Sequence, residues 1–444
     1  MPNGKVLTAR EAAYEGILRM NRDKAYSNLL LDNILSHVES KRDRQFASQL
    51  FYGVLERDIT LRWTIRQLTG KTEAKLDAEV VAALELALYQ LKWMDAVPDS
   101  AAVNESVNII KHSRKKSAAG FVNGVLRSFI RSKKEIPLPD EPLKRAEIEY
   151  AMPQWILSLW QRDYGFDTAL QLAKECLGRP PLQLRVNTVL SDRETVRREL
   201  EALDVQAENH PLLPDALTVS GTGAVGALPP VQVGRCYVQD AASQLCAMAV
   251  DPQPGETVFD LCAAPGSKSF TMAQLMQNTG RILAFDLHEH RAKLVKDGAE
   301  RLGLTCIEAA AADAGVYNPA LGLADRVLCD VPCAGLGVIR RKPEIRRKTE
   351  KEISALPDIQ LRILHNAANY LRPGGILVYS TCSLNKDEND RVAAAFLAAH
   401  PDFIPAPLPE IFSTLAEKGA NSVTLMPQNG DYDGFYIVRF RKRT

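Results

Sequence analysis

No C-x-x-C pair occurs in this 444-residue sequence, whose eight cysteines stand at 176, 236, 246, 262, 306, 329, 333 and 382. The seven histidines do not fall into zinc-ligand spacing with them, so no structural metal is expected. Apolar runs stop short of the roughly 18 residues that span a bilayer, and the opening MPNGKVLTAREAAYEG has no signal-type apolar core. The expected setting is the cytosol, where such cysteines stay thiols and mostly act as small buried residues. Neither G-x-G-x-x-G nor G-x-x-x-x-G-K-[ST] is present, which leaves NAD and ATP weak candidates. Internal repeats and low-complexity tracts are lacking, and a net charge of +1 makes no bulk case for a nucleic-acid partner. What is there is a globular composition, 46% hydrophobic and 25% charged, long enough for two or three domains.

Proline is almost missing before Pro98, and residues 8 to about 135 read as helix throughout. Thr8-Ala9-Arg10-Glu11 is a capping box opening an amphipathic segment, and Val81, Leu84, Leu88 and Leu91 keep the spacing of a buried helical stripe. IPLPDEP (136–142) reads as a linker, followed by two short helices over 143–176. From 181 the pattern shortens. LQLRVNTV, a helix from Asp192 through Leu203, ALTVSG (216–221) and GRCYVQD (234–240) fit a small α/β lobe. Strands and helices then alternate: TVFDL (257–261), RILAFD (281–286), CIEAA (306–310), RVLCD (326–330) and ILVYSTC (376–382). Each run is apolar throughout, as strands covered on both faces should be. The stretch 422–443 reads as a terminal hairpin or edge pair.

Ligands of open α/β sheets collect beyond the carboxyl ends of the strands. There the chain places DLCAAPGSK (260–268), a tight strand-to-helix turn. Its Gly and Ala let backbone approach a ligand, and free N–H groups at the helix start suit polar or anionic groups. Asp286 ends the next strand, where an acid commonly accepts from ribose hydroxyls; Asp313 follows the strand after it, placed for an adenine amino group. Strand-end acids can also merely cap helices. A nucleoside cofactor without a triphosphate clamp points to S-adenosyl-L-methionine.

Two thiols share that sheet edge, Cys333 in DRVLCDVPCAGLG (325–337) and Cys382 in GILVYSTCSLNKDEN (375–389). A thiolate adding to C6 of cytosine or uracil turns C5 into a carbon that can attack a methylsulfonium. Free cysteine has a pKa of about 8.5, so a nucleophile needs nearby cations or dipoles. Lys268, Lys386 and the run 340–348 are the candidates. The other six cysteines read as core residues. Charge is also uneven: residues 111–134 carry eight Lys or Arg and no acid, and 340–348 carry six against one Glu. Both stretches are expected to meet phosphates, the alternative being plain solvated faces.

DLCAAPGSK, DVPCAGLGVIRRKPEIRR and VYSTCSLNKDEN resemble the cofactor, proline–cysteine and threonine–cysteine motifs of the RNA 5-methylcytosine methyltransferases, the NOL1/NOP2/Sun family. The helical region, with RDRQFASQLFYGVLE and AAVNESVNIIKHSRKKSAAGFVNGVLR, is similar to a NusB-like domain. The resemblance implies a multidomain chain: an all-α NusB-like domain over 5–136, linker helices and a small ferredoxin/RRM-like α/β lobe over 143–235, and a Rossmann-like class I methyltransferase domain over 236–444. By the same resemblance, Cys382 is the nucleophile, Cys333 assists proton removal and product release, and Asp330 orients the base or lies against the cofactor. Cys262, Ala263, Ala264, Pro265, Gly266, Ser267 and Lys268, with Asp286, Asp313, Asp330 and Arg291, would hold S-adenosyl-L-methionine. The NusB-like fusion favours 16S rRNA over tRNA as substrate, in a single-stranded or loop region, with a monomeric enzyme expected. Ser267 stands where Gly is usual and Ala334 where Ser is usual; neither change removes a reacting atom.

Overall fold

The computed structural model describes residues 6–22, 27–72 and 75–444. Residue 5, where the helical domain is expected to begin, and the first residues of the opening stretch lie outside the described residues. Two compact units form: one runs to Gly178 and takes in Ile339–Lys348, the other comprises Arg179–Val338 and Thr349–Thr444.

The first unit is helical. Its opening helix, Ala9–Arg22, starts on the expected capping box: Glu11 N–H donates to Thr8 Oγ1 at 3.2 Å and Thr8 N–H to Glu11 Oε2 at 3.0 Å. Helix Ala78–Trp93 runs through the core. Val81, Leu84, Leu88 and Leu91 are buried, and so are Val80, Ala82, Ala83, Leu86 and Ala87. A single stripe understates this helix, because alanines let neighbours close over its remaining faces. Residues 142–175 form three helices rather than two: Pro142–Glu149, Gln154–Tyr164 and Phe166–Glu175. Gly165, at φ +88°, breaks the last two apart in a conformation that a side chain would strain.

The segment 339–348 corrects part of the phosphate assignment. Arg347 donates to Asp58 Oδ2 at 2.9 Å, Met20 O at 2.8 Å and Asn21 Oδ1 at 2.9 Å, and Arg346 donates to Cys176 O at 2.8 Å. These two guanidinium groups are tied into the helical unit, and Arg346 is buried, so neither is free for RNA. The run 111–134 behaves differently. Lys111, Arg114, Lys116, Arg127, Arg131 and Lys133 are exposed, while Lys115 pairs with Asp77 and Lys134 with Asp99.

The second unit carries two sheets. Strands β1 (Leu182–Val186), β2 (Gln206–Asn209), β3 (Ala216–Ser220) and β4 (Cys236–Val238) form an antiparallel sheet in the order β2-β3-β1-β4. Helix Arg193–Glu201 packs on it, capped by Asp192, whose Oδ1 accepts from Thr195 N–H at 2.9 Å. Sequence reading misses β2, because in QAEN only Ala207 is buried and no apolar run announces a strand.

The larger sheet contains β5 (Thr257–Asp260), β6 (Arg281–Asp286), β7 (Ile307–Ala311), β8 (Ala324–Asp330), β9 (Leu371–Thr381), β10 (Phe403–Pro405), β11 (Ser422–Leu425) and β12 (Phe435–Lys442). Its order is β10-β12-β9-β8-β5-β6-β7, with β11 beside β12. Strands β5 to β9 pair in parallel, and β12 pairs antiparallel with β9, β10 and β11. Successive side chains of a strand point to opposite faces. Accordingly Val258, Ile282 and Ala284 join one core with helices Ala241–Val250, Ser267–Leu275 and Glu289–Leu302, while Phe259, Leu283 and Phe285 join another with Leu356–Tyr370 and Asp390–Ala399. Strand β7 departs from the expectation of burial on both faces. It is the sheet's edge and none of its five residues is fully buried. Among the described residues no helix is long and apolar enough to cross a membrane.

Candidate active site

The carboxyl ends of β5, β6, β8 and β9 deliver Asp260, Asp286, Asp330 and Thr381 to one edge of the parallel sheet. The turn after β5 contains Cys262, Ala263, Ala264, Pro265 and Gly266, with a cis Ala264–Pro265 bond. Gly266 sits at φ +110° as the N-cap of helix Ser267–Leu275, and a Cβ there would run into the Phe270 ring. Only glycine fits comfortably, which leaves the backbone bare where a ligand would approach. Ala263 N–H donates to Phe285 O at 2.7 Å, tying the turn to β6. Asp286 Oδ1 accepts from His288 N–H at 3.3 Å and its Oδ2 lies 3.4 Å from Arg291 Nε. Arg291 also donates to Ala264 O at 3.0 Å, so it braces the turn against the strand-end acid. Asp313 stands two residues past β7, accepts from Gly315 N–H at 2.8 Å, and lines a cavity of about 210 Å³. Asn366, which sequence reading missed, lines the same cavity; its buried Oδ1 lacks a hydrogen-bond donor.

The two thiols meet. Asp330 pairs with Ser380 in the parallel ladder of β8 and β9, and the chains leaving these strands bring Cys333 Sγ to 3.3 Å from Cys382 Sγ. The hydrogen bond to Cys382, then burial, then the nearby Cys382, Glu388 and Asp330 push the Cys333 pKa up. Lys268 Nζ lies 2.6 Å from Asp330 Oδ2 and 5.2 Å from the centre of the Phe435 ring. Burial works against the Lys268 charge, but Asp330, Cys246 and Cys382 outweigh it and hold its pKa above the ordinary range. Lys268 and Asp330 thus form an ion pair at the end of the strand that leads to Cys333. Burial also raises Cys246 to about 12 and Cys262 and Cys329 well above the usual thiol range, which suits packing and not nucleophilic work.

Several residues of this edge carry no signal of their own in the sequence. Ser380 Oγ donates to Asp330 Oδ1 at 2.9 Å, and Cys246 Sγ donates to Ser380 Oγ at 3.1 Å. Glu388 is wholly buried and accepts from Ala334 N–H at 2.7 Å and Ser383 Oγ at 2.8 Å. Lying within VYSTCSLNKDEN, Ser380 and Glu388 could have been singled out by proximity to Cys382. Gln360, on helix Leu356–Tyr370, donates to Glu388 Oε2 at 3.0 Å but lies outside both cysteine motifs, with nothing in the sequence to mark it. Among the described residues no cluster of three or more His, Cys, Asp or Glu could hold a metal ion.

A largely parallel sheet with a glycine turn after β5 and polar groups along its carboxyl edge defines a Rossmann-like α/β domain, here joined to a small α/β lobe and a helical unit. Family models agree for each part: "16S rRNA methyltransferase RsmB/F" over 247–441, the NusB family over 7–131, and the ferredoxin-like domain of RsmF/B-like methyltransferases over 152–226. The "Probable ribosomal RNA small subunit methyltransferase B" of Bacillus subtilis (strain 168) is 38% identical, over 99% of this chain and 100% of that protein. The "Ribosomal RNA small subunit methyltransferase B" of Sodalis glossinidius is 33% identical over 91% of each. The crystal structure of PH0851 superposes with a TM-score of 0.84 at 28% identity, covering 98% of both chains. The chain belongs to the RsmB/F family of small-subunit rRNA methyltransferases.

Proposed function

We propose that this enzyme transfers a methyl group from S-adenosyl-L-methionine to C5 of a cytosine in 16S rRNA, through a covalent bond between Cys382 and C6. The observation that carries the reading is the 3.3 Å approach of Cys333 Sγ to Cys382 Sγ beside the Lys268–Asp330 pair. The cofactor fits the residues present. Gly266 keeps the turn after β5 clear, Asp286 offers a strand-end carboxylate, and Asn366 Oδ1 awaits a donor in the cavity that Asp313 lines. The bound cofactor would supply an electrophilic methyl group. Cys262 to Lys268, Asp286, Arg291 and Asp313 are assigned to holding it.

The chain's own residues do the rest. Cys382 thiolate adds to C6 of the pyrimidine, which makes C5 nucleophilic. Asp330, held by Lys268 and Ser380, is assigned to hydrogen-bond the base as its electron density shifts. After transfer, the C5 proton leaves to a base at the position of Cys333, and the C6–S bond breaks to return Cys382 thiolate. The target base must leave any stack first, at a cost of about a few kcal/mol, so a single-stranded or loop region is the assigned substrate. Phosphates are assigned to the exposed cations of 111–134. The domain bounds assigned are 5–136, 143–235 and 236–444, with β4 (Cys236–Val238) completing the small sheet across the last of these bounds, and the enzyme is assigned to the cytoplasm, as a monomer.

The test is incubation with methyl-labelled S-adenosyl-L-methionine and either 16S rRNA or tRNA, then digestion to nucleosides. Label in 5-methylcytidine from 16S rRNA supports the reading. Label confined to tRNA, or found on another nucleoside, overturns it.

A further inference from the structure

Glu388 is a carboxylate wholly removed from solvent, and the donors around it are arranged about the two thiols. On one side its Oε2 accepts from Ala334 N–H at 2.7 Å and from Gln360 Nε2 at 3.0 Å. Gln360 uses its other amide hydrogen on Pro332 O at 3.0 Å. The residues before and after Cys333 are therefore pinned by Gln360 and Glu388. On the other side Oε1 accepts from Ser383 Oγ at 2.8 Å and Asn385 Nδ2 at 3.1 Å. Ser383 directly follows Cys382, and Asn389 Nδ2 donates to Ser383 O at 2.8 Å while its Oδ1 accepts from Thr381 Oγ1 at 2.6 Å. Tyr379 OH closes the group by donating to Glu388 O.

We infer that Glu388 is a positioning residue that clamps the loop of Cys333 to the loop of Cys382 and so sets the distance between the two sulfurs. The inference rests on the two-thiol reading above. A buried carboxylate persists where several donors surround it, and here those donors come from both loops. Each loop follows a different strand, and Cys333 and Cys382 are 49 positions apart; beyond the ladder a backbone bond from Gly337 N–H to Cys382 O at 3.0 Å joins the loops, and the Glu388 side chain adds the restraints on the residues next to each sulfur. The step most sensitive to this distance is the resolution of the adduct, which needs Cys333 at C5 while Cys382 is still bonded to C6. Methyl transfer itself draws on Cys382, Asp330 and the cofactor, and not on Cys333.

Glu388→Met keeps the length of the side chain and deletes every acceptor. Glu388→Gln can still accept from Ala334 N–H and turn its amide towards Ser383 Oγ. With full-length enzyme, labelled S-adenosyl-L-methionine and 16S rRNA, Glu388→Met is expected to lower turnover about 100-fold, the scale of a roughly 1 Å misplacement. RNA should accumulate as a protein-bound band on denaturing gels, with KM for RNA unchanged within about 2-fold, and Glu388→Gln should recover about 10-fold or more of the lost rate. Cys333→Ala runs on the same gel as the reference for a trapped adduct. If Cys333→Ala traps RNA while Glu388→Met loses turnover without a band, or keeps turnover within about 3-fold, the clamp is overturned and the two-thiol reading stands. A Gln variant as defective as Met overturns it too. If Cys333→Ala fails to trap RNA, the reading underneath falls, and the clamp with it. Should Glu388→Met not fold, Gln360→Met removes the same restraint from the Cys333 side and is held to the same outcomes.

Discussion

Lys268 Nζ lies 2.6 Å from Asp330 Oδ2, and Ser380 Oγ donates to the other carboxylate oxygen at 2.9 Å. The ammonium is largely buried, 12% exposed against 24% for its partner. Removing one member of such a pair leaves a poorly solvated charge. For a fully buried pair the loss is several kcal/mol; with Asp330 partly wetted, Lys268→Met should cost about 2 kcal/mol in urea unfolding. Methyl transfer should fall by about 100-fold or more, since Asp330 loses its orientation. A variant with wild-type transfer rate would remove Lys268 from the site.

The two cysteines should part company when each is replaced. Cys382→Ala abolishes methyl transfer while circular dichroism stays native, because the side chain is small and only half-buried. Cys333→Ala instead accumulates the RNA adduct. A trapped band from Cys382→Ala would reverse the two roles.

Burial raises the Asp260 carboxyl to about 7, working against the Ser269 hydroxyl, which donates to Oδ2 at 2.6 Å. The sign follows from proton binding. Between the unfolded value of about 3.9 and about 7, the folded protein keeps a proton that the unfolded chain has released. The stability due to this group is full below the lower value and is lost as pH rises through the upper one. Asp260→Asn, permanently neutral, should therefore show a flatter fall of Tm between pH 5 and 8 than the parent. Glu85, raised to about 7 chiefly by burial, contributes with the same sign in both proteins and cancels from the comparison. Parallel slopes would show that Asp260 does not titrate there.

Salt dependence reports on the exposed cations. Each phosphate of single-stranded RNA that is neutralised contributes about 0.7 to the slope of log K against log salt. Arg127 and Arg131, both exposed on helix Ala119–Arg131, should together remove about 1.4 from that slope when changed to Gln. Arg347→Gln should leave the slope alone and lower Tm instead, since its donors are bound to Asp58, Met20 and Asn21. An unchanged slope for the Arg127, Arg131 pair would take the RNA contact away from this helix.

Local pattern was legible wherever it had a strong period or a strong punctuation mark. The strand RILAFD is found at Arg281–Asp286, and the capping box at Thr8 forms as read. Elements without such a mark were lost. QAEN pairs as β2 because β3 lies alongside, and β7 is half-exposed because it stands at the edge of its sheet. Three helices were read as two because Gly165 interrupts without a change of composition.

What the sequence by itself determined was chemistry and address: which side chains can attack, donate or carry charge, and which strand each one follows. Proximity belonged to the tertiary structure. Cys333 and Cys382 become neighbours because β8 and β9 pair in parallel register, and Glu388, Gln360 and Ala334 converge because a helix and two loops close over that edge. The fate of the cations divides in the same way. A run of arginines is visible in one dimension, but whether a guanidinium faces water or binds Asp58 depends on what the folded chain sets opposite it.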